Sequence, residues 1–195
     1  MDERTQLIKF AEQAQGLEPL QRLKLILFAT GTKPAAYVVL KISAKNLDEK
    51  EHFEKHLKHN NIIYETSRAK SYEEIKYIRG DTVKWEIKGV WHGYDLFRTK
   101  TAQKGFHNYK KLLREQKHRP ADKIAGQLYG YPTCCTNEYT KEHNMNYVKK
   151  KYTYASFYQR MYDADKKFSF VFHYPCSTKC KATKKLNNYY ETIIK

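Results

Sequence analysis

The sequence predicts a mixed α+β protein, with N-terminal helices and a small sheet packed against a mainly helical, cysteine-containing C-terminal region. Three observations predict it: apolar residues at helical spacing over the first thirty positions, β-branched or alternating runs between residues 35 and 90, and renewed helical periodicity from Lys100. A chain of 195 residues is long enough for one large domain or two small ones sharing a core. The pattern divides near residue 100, into an α+β region, 1–99, and a basic, mainly helical region, 100–195.

Leu7, Phe10, Ala11, Ala14 and Leu17 mark a first helix, and Leu20, Leu23, Leu27 and Phe28 a second after Pro19. Gly31 and Pro34 end that run, and the β-branched stretch from Ala35 to Ile42 suits a buried strand. A charged helix is expected from about Asp48 to His59, then strands over Ile62–Glu65 and Thr82–Val90. Phe106, Tyr109, Leu112 and Leu113 give one further amphipathic helix, and Pro120 is read as the first residue of another, with Ile124, Leu128 and Tyr129 on its apolar side. Gly130-Tyr131-Pro132 stops it, and the segment from Cys134 to Tyr139 opens the next. Phe168–Phe172 reads as a short strand or extended run, and a final helix lies near Thr183–Ile194.

The formal charge is +16, and it is unevenly spread. Residues 1–100 hold 18 Lys/Arg against 14 Asp/Glu, whereas residues 101–195 hold 19 against 7 and carry 12 of the 17 tyrosines. Cations interleaved with aromatic rings suit phosphate neutralisation and base stacking, so RNA or the ribosome is the expected partner. Lys110, Lys111, Arg114, Lys117 and Arg119, and the run Lys149, Lys150 and Lys151, are the candidate contacts. A solvated lysine-rich face is the other reading.

No run approaches the roughly 18 apolar residues of a membrane span. The N-terminus opens with acids rather than the basic-then-apolar layout of a secretory signal, so the expected location is cytoplasmic. Neither Gly-x-Gly-x-x-Gly nor a Gly-x-x-x-x-Gly-Lys-Ser/Thr loop occurs, nor Gly-x-Ser-x-Gly nor His-Glu-x-x-His, which counts against nucleotide-driven and ordinary hydrolytic functions.

Four cysteines form two elements: Cys134-Cys135 after Gly130-Tyr-Pro, and Cys176-x-x-x-Cys180 after His173-Tyr-Pro. Thiolates converging from both would suit zinc or an iron–sulfur cluster. Disulfides, redox-active thiols or inert packing are the alternatives. The spacing departs from paired Cys-x-x-Cys knuckles, and adjacent cysteines are not expected to chelate one zinc comfortably. His173, three residues before Cys176, is placed to replace one thiolate.

Elsewhere the signals are thinner. Trp91-His-Gly-Tyr-Asp-Leu-Phe-Arg98 reads as a loop after a strand, in which His92 and Asp95 are candidate catalytic groups beside His173, Asp95 orienting His92 or pairing with Arg98. The same stretch reads equally as a packed turn in which Gly93 supplies unusual backbone angles. His52, His56 and His59 share one helical face, but the intervening charges describe an exposed helix rather than a metal site.

The double cysteine with a second, separated pair resembles the thiol set of cluster-binding sulfonucleotide reductases, in the cysteines alone and with one residue more in the second loop. A wider likeness covers the last 105 residues or so. Trp91–Arg98, the helix with Gln103, Phe106 and His107, the run Leu128-Tyr-Gly-Tyr-Pro-x-Cys-Cys135 and His173-Tyr-Pro-Cys-x-x-x-Cys180 together resemble the archaeal family catalogued as domain of unknown function 483. That resemblance implies an archaeal, thermophile-like origin, in which intracellular disulfides are common, and implies no particular reaction.

Overall fold

In the computed structural model the described residues are 3–67, 70–79 and 82–194. They form an α+β fold that divides into two compact units, Met1–Lys100 and Thr101–Lys195.

The first unit runs α1 (Glu3–Gln13), α2 (Pro19–Ala29), β1 (Ala35–Ser43), α3 (Glu49–His59), β2 (Ile63–Thr66), β3 (Lys70–Arg79) and β4 (Thr82–Phe97). The sixteen-residue β4 is the centre of the sheet. Antiparallel β1 covers one edge of it from Gly89 to Phe97, while β3 and β2 share the other edge end to end, β3 along residues 82–91 and β2 along 94–97. Period-two alternation turns Ala36, Val38, Leu40 and Ile42 of β1, and Tyr94 and Leu96 of β4, toward Leu7, Ala11, Leu25, Phe28, Phe53 and Leu57 of the three helices. Phe53 stands edge-on to Tyr94, ring centroids 4.9 Å apart, and the Tyr94 hydroxyl donates to Glu54 Oε1 at 3.0 Å.

The expected loop at Trp91–Arg98 is instead the C-terminal half of β4. Its polar residues, which suggested a loop, alternate with Tyr94 and Leu96 as a half-buried strand requires. Gly93 has no positive φ. What it supplies is room, since a Cβ there would lie 2.0 Å from Ser67 Oγ and 2.6 Å from the Tyr37 hydroxyl. Strand β3 had no clear sequence signal.

The second unit is helical: α4 (Lys100–Arg114), α5 (His118–Leu128), α6 (Thr133–Glu142), α7 (Met145–Lys151), α8 (Tyr154–Lys167) and α9 (Lys181–Ile194). Pro120 is the third residue of α5 rather than its first, because no N–H in the first turn has an intrahelical acceptor and proline is tolerated there. Gly130, at φ 68°, ends α5 in a left-handed residue, and the Tyr131 N–H donates back to the Gly126 carbonyl at 2.7 Å. Nothing surrounds Gly130, so backbone angle alone selects glycine. Asn144 and Thr153 cap α7 and α8 through their side-chain oxygens.

The expected strand at Phe168–Phe172 is absent; the segment is irregular, with a turn at Ser169–Phe170. No neighbouring strand is needed, because the Phe170 N–H donates to the Asn187 side chain on α9. Among the described residues no helix is long and apolar enough to cross a membrane.

Candidate metal centre

The cysteines of the two elements meet. Their four sulfurs all lie within 4.8 Å of one another, with Cys134 exposed, Cys176 half-buried, and Cys135 and Cys180 buried. Cys134 and Cys135 sit in the first turn of α6 behind Pro132, whose carbonyl accepts from the Cys135 N–H at 2.9 Å. Adjacent residues on a helix splay by about 100°, and the two sulfurs are 3.9 Å apart, so adjacency does not prevent convergence. Cys180 immediately precedes α9; its sulfur accepts from the Thr183 N–H at 3.4 Å and acts as the helix cap. The loop from Cys176 closes through the Cys180 N–H donating to the Ser177 carbonyl at 3.2 Å. Two helix N-termini thus face one cluster, and both favour thiolate over thiol.

The spacing decides what the set can hold. Cys134 and Cys135 each lie 3.7 Å from Cys180, far longer than a disulfide bond, and no disulfide joins any pair. Four sulfurs at about 2.3 Å from one tetrahedral ion would be separated by about 3.8 Å. The observed edges match that figure. Ligands of a multi-iron cluster bind different irons and spread wider. The donor set therefore fits a single soft-ligand ion, with all four positions closed by protein.

Polar neighbours set the charge. Burial pushes the Cys135 thiol up to about 11, against the pull of the Thr183 hydroxyl and the Cys176 N–H, which donates to its sulfur at 3.4 Å. Burial and the adjoining Cys135 and Cys180 also raise Cys176. Burial would raise Cys180 too, but the Thr183 hydroxyl and N–H and the neighbouring Cys176 and Cys134 thiols outweigh it and bring Cys180 down to about 7. One sulfur is ready to ionise, and the crowding of the others is relieved only by a cation at the centre.

His173 does not take a ligand position. Its Nε2 lies 3.1 Å from the Thr183 hydroxyl, which is itself 3.2 Å from Cys135 Sγ, so His173 is one hydroxyl removed from the sulfurs. Thr183, fully buried, was missed in the sequence, although its place three residues after Cys180 is the position a capping side chain addresses.

The remaining candidates are placed as follows. His92 and Asp95 belong to the first unit and the cysteines to the second. Three residues apart on one strand, they point to opposite faces, so Asp95 does not orient His92. His92 faces α3, where burial and Lys50 lower its affinity for a proton against the pull of Glu54. Arg98 donates to the Phe28 and Ala29 carbonyls. His52 is exposed on α3, whereas the His56 ring packs on Phe10, centroids 5.3 Å apart.

Lys110, Lys111, Arg114, Lys117, Arg119, Lys149, Lys150 and Lys151 are all exposed. Several have local partners: Lys110 lies over the Phe106 ring, Lys111 and Lys117 flank Glu115, and Lys151 pairs with Glu138 and the Tyr147 hydroxyl.

No family model matches the chain, and no match was found among curated proteins or solved structures.

Proposed function

We propose that Cys134, Cys135, Cys176 and Cys180 hold one zinc ion as a structural centre, and that the unit built around it is an RNA-associated module. The observation that carries the metal reading is the set of 3.7–3.9 Å sulfur separations at the starts of α6 and α9. A closed four-thiolate site has no open position for substrate, which favours a structural role. It ties α6 to the 46-residue-distant cap of α9, a link the helices do not otherwise need sequence proximity to make. RNA is favoured as partner by the excess of 19 Lys/Arg over 7 Asp/Glu in residues 101–195, with all eight candidate cations on the surface.

Elemental analysis of anaerobically prepared protein tests the centre. One zinc per chain in a colourless protein is expected; a brown protein with visible absorbance would replace zinc by an iron–sulfur cluster. RNA retention that falls steeply with salt is expected, and none even at low ionic strength would remove the RNA partner.

A second reading rests on Cys134, exposed and 3.7 Å from Cys180. With no ion bound, these thiols can close to a disulfide, releasing two protons and two electrons to an external disulfide oxidant. A mass two hydrogens lower, in protein free of metal as isolated, would favour this redox dithiol.

A further inference from the structure

The second unit encloses a cavity of about 250 Å³ beside the cysteine cluster, between α4, α5, α6 and the 172–174 segment. Its walls are aromatic: Tyr109, Tyr131, Tyr139, Phe172 and Tyr174 all contribute. The rings of Tyr139 and Tyr174 lie within 17° of parallel, and both residues are exposed, so they form the solvent side.

Inside it, two polar atoms are buried without a hydrogen-bond partner: Asp122 Oδ2 and Thr136 Oγ1. Asp122 is 8% exposed, and the nearest cation, His143 Nδ1, is 3.2 Å from Oδ2 but out of line for a hydrogen bond. Leaving such groups unsatisfied costs about 1–3 kcal/mol each. A ligand bringing N–H donors recovers that cost.

The shape and charge narrow the ligand. An apolar cavity of about 150 Å³ accepts benzene, so this one has room for a flat bicyclic ring. Aromatic walls favour stacking on the faces of that ring, and Asp122 calls for donors on its edge. A free organic cation meets both demands but would have to approach a strongly cationic unit. A base carrying a phosphate does not face that repulsion. A shallow depression of about 370 Å³ lies on the far side of the Asp122–His143 pair, lined by Lys117, His118, Arg119 and His143.

We propose that this cavity is a nucleobase pocket for single-stranded RNA, which stacks an amino-bearing base among its tyrosines and receives its N–H groups on Asp122, with the phosphate over Lys117 and Arg119. Guanine matches best, since its ring N–H and amino donors are adjacent and address one carboxylate. The proposal rests on the RNA reading and gives it a specific contact.

Calorimetric titration of the full zinc-loaded chain with GMP, UMP, ribose 5-phosphate and tetramethylammonium tests it. GMP is expected to bind at least about tenfold more tightly than UMP or the base-free phosphate. Asp122→Asn should weaken GMP about tenfold or more, the value of a charge-assisted hydrogen bond, with zinc content and melting temperature unchanged. Tyr174→Ala, at an exposed position, should weaken GMP through lost stacking. Equal binding of ribose 5-phosphate, indifference to Asp122→Asn, or binding of tetramethylammonium but not GMP would each overturn the pocket. Salt-dependent RNA retention equal in wild type and Asp122→Asn would overturn the pocket while leaving the RNA partner; loss of both RNA and GMP binding removes the two together.

Discussion

The Thr183 hydroxyl stands 3.2 Å from the Cys135 sulfur, and the residue is wholly buried in the first turn of α9. The contact joins the two cysteine elements without a bond between sulfurs. When Cys135 is a thiolate the hydroxyl donates to it, and His173 Nε2, in the tautomer that carries a proton, donates to the hydroxyl oxygen in turn.

Thr183→Val keeps the shape and removes the donor. Metal affinity, measured by competition with a chromogenic chelator, is expected to fall about 10–100-fold. Thr183→Ser should restore most of it. Unchanged affinity in the valine variant would show that the hydroxyl does not support the thiolate.

Where α5 crosses α6, Gly126 faces Thr136, and a Cβ on Gly126 would lie 2.4 Å from Thr136 Oγ1. Gly126→Ala is therefore expected to cost about 1–3 kcal/mol in urea unfolding through overpacking. Thr136→Ala should relieve much of that cost in the double variant. Strict additivity of the two changes would rule out this contact as the cause.

Glu138, 8% exposed on α6, receives the Lys151 ammonium and the Tyr147 hydroxyl at 2.8 Å. Burial alone would raise its carboxyl, but the bonds from Lys151 and Tyr147 outweigh it and hold the group below its usual range. A carboxyl depressed by folding contributes stability fully above the unfolded value, 4.5, and loses it as pH falls through the lower folded value. Glu138→Gln is expected to cost about 1–3 kcal/mol at pH 7. That difference from wild type should shrink steadily below pH 4.5; a gap independent of pH would mean that packing, not charge, is what the substitution disturbs.

The periodic elements were legible because local pattern decides them. Helices α1, α2, α3 and α4 and strands β1 and β4 announce themselves through apolar spacing, and the cysteines through chemistry that few other residue types share. Strand β3 carries no strong alternation, and its pairing is set by β4, a partner with two register shifts along the way. Trp91–Arg98 misled because its polar residues suggested a loop, whereas burial on one face and close approach at Gly93 made it the central strand. The convergence of 134–135 with 176–180 is a long-range fact, visible in sequence only as two similar aromatic–proline entries. Asp122 left no mark at all, since one carboxylate in an amphipathic helix looks the same whether solvated or enclosed.

The placement of β4 has a consequence for synthesis. Every described strand pairing in the sheet runs through it, and the stretch that receives β1 and β2, residues 89–97, is the last of the first unit to be made. Until those residues leave the ribosome, β1 and β2 have no edge to join, and Val38, Leu40 and Ile42 lack the face that Tyr94 and Leu96 complete. The nascent chain must hold this apolar surface in waiting for more than fifty residues of translation, the interval in which a chaperone has most to offer it.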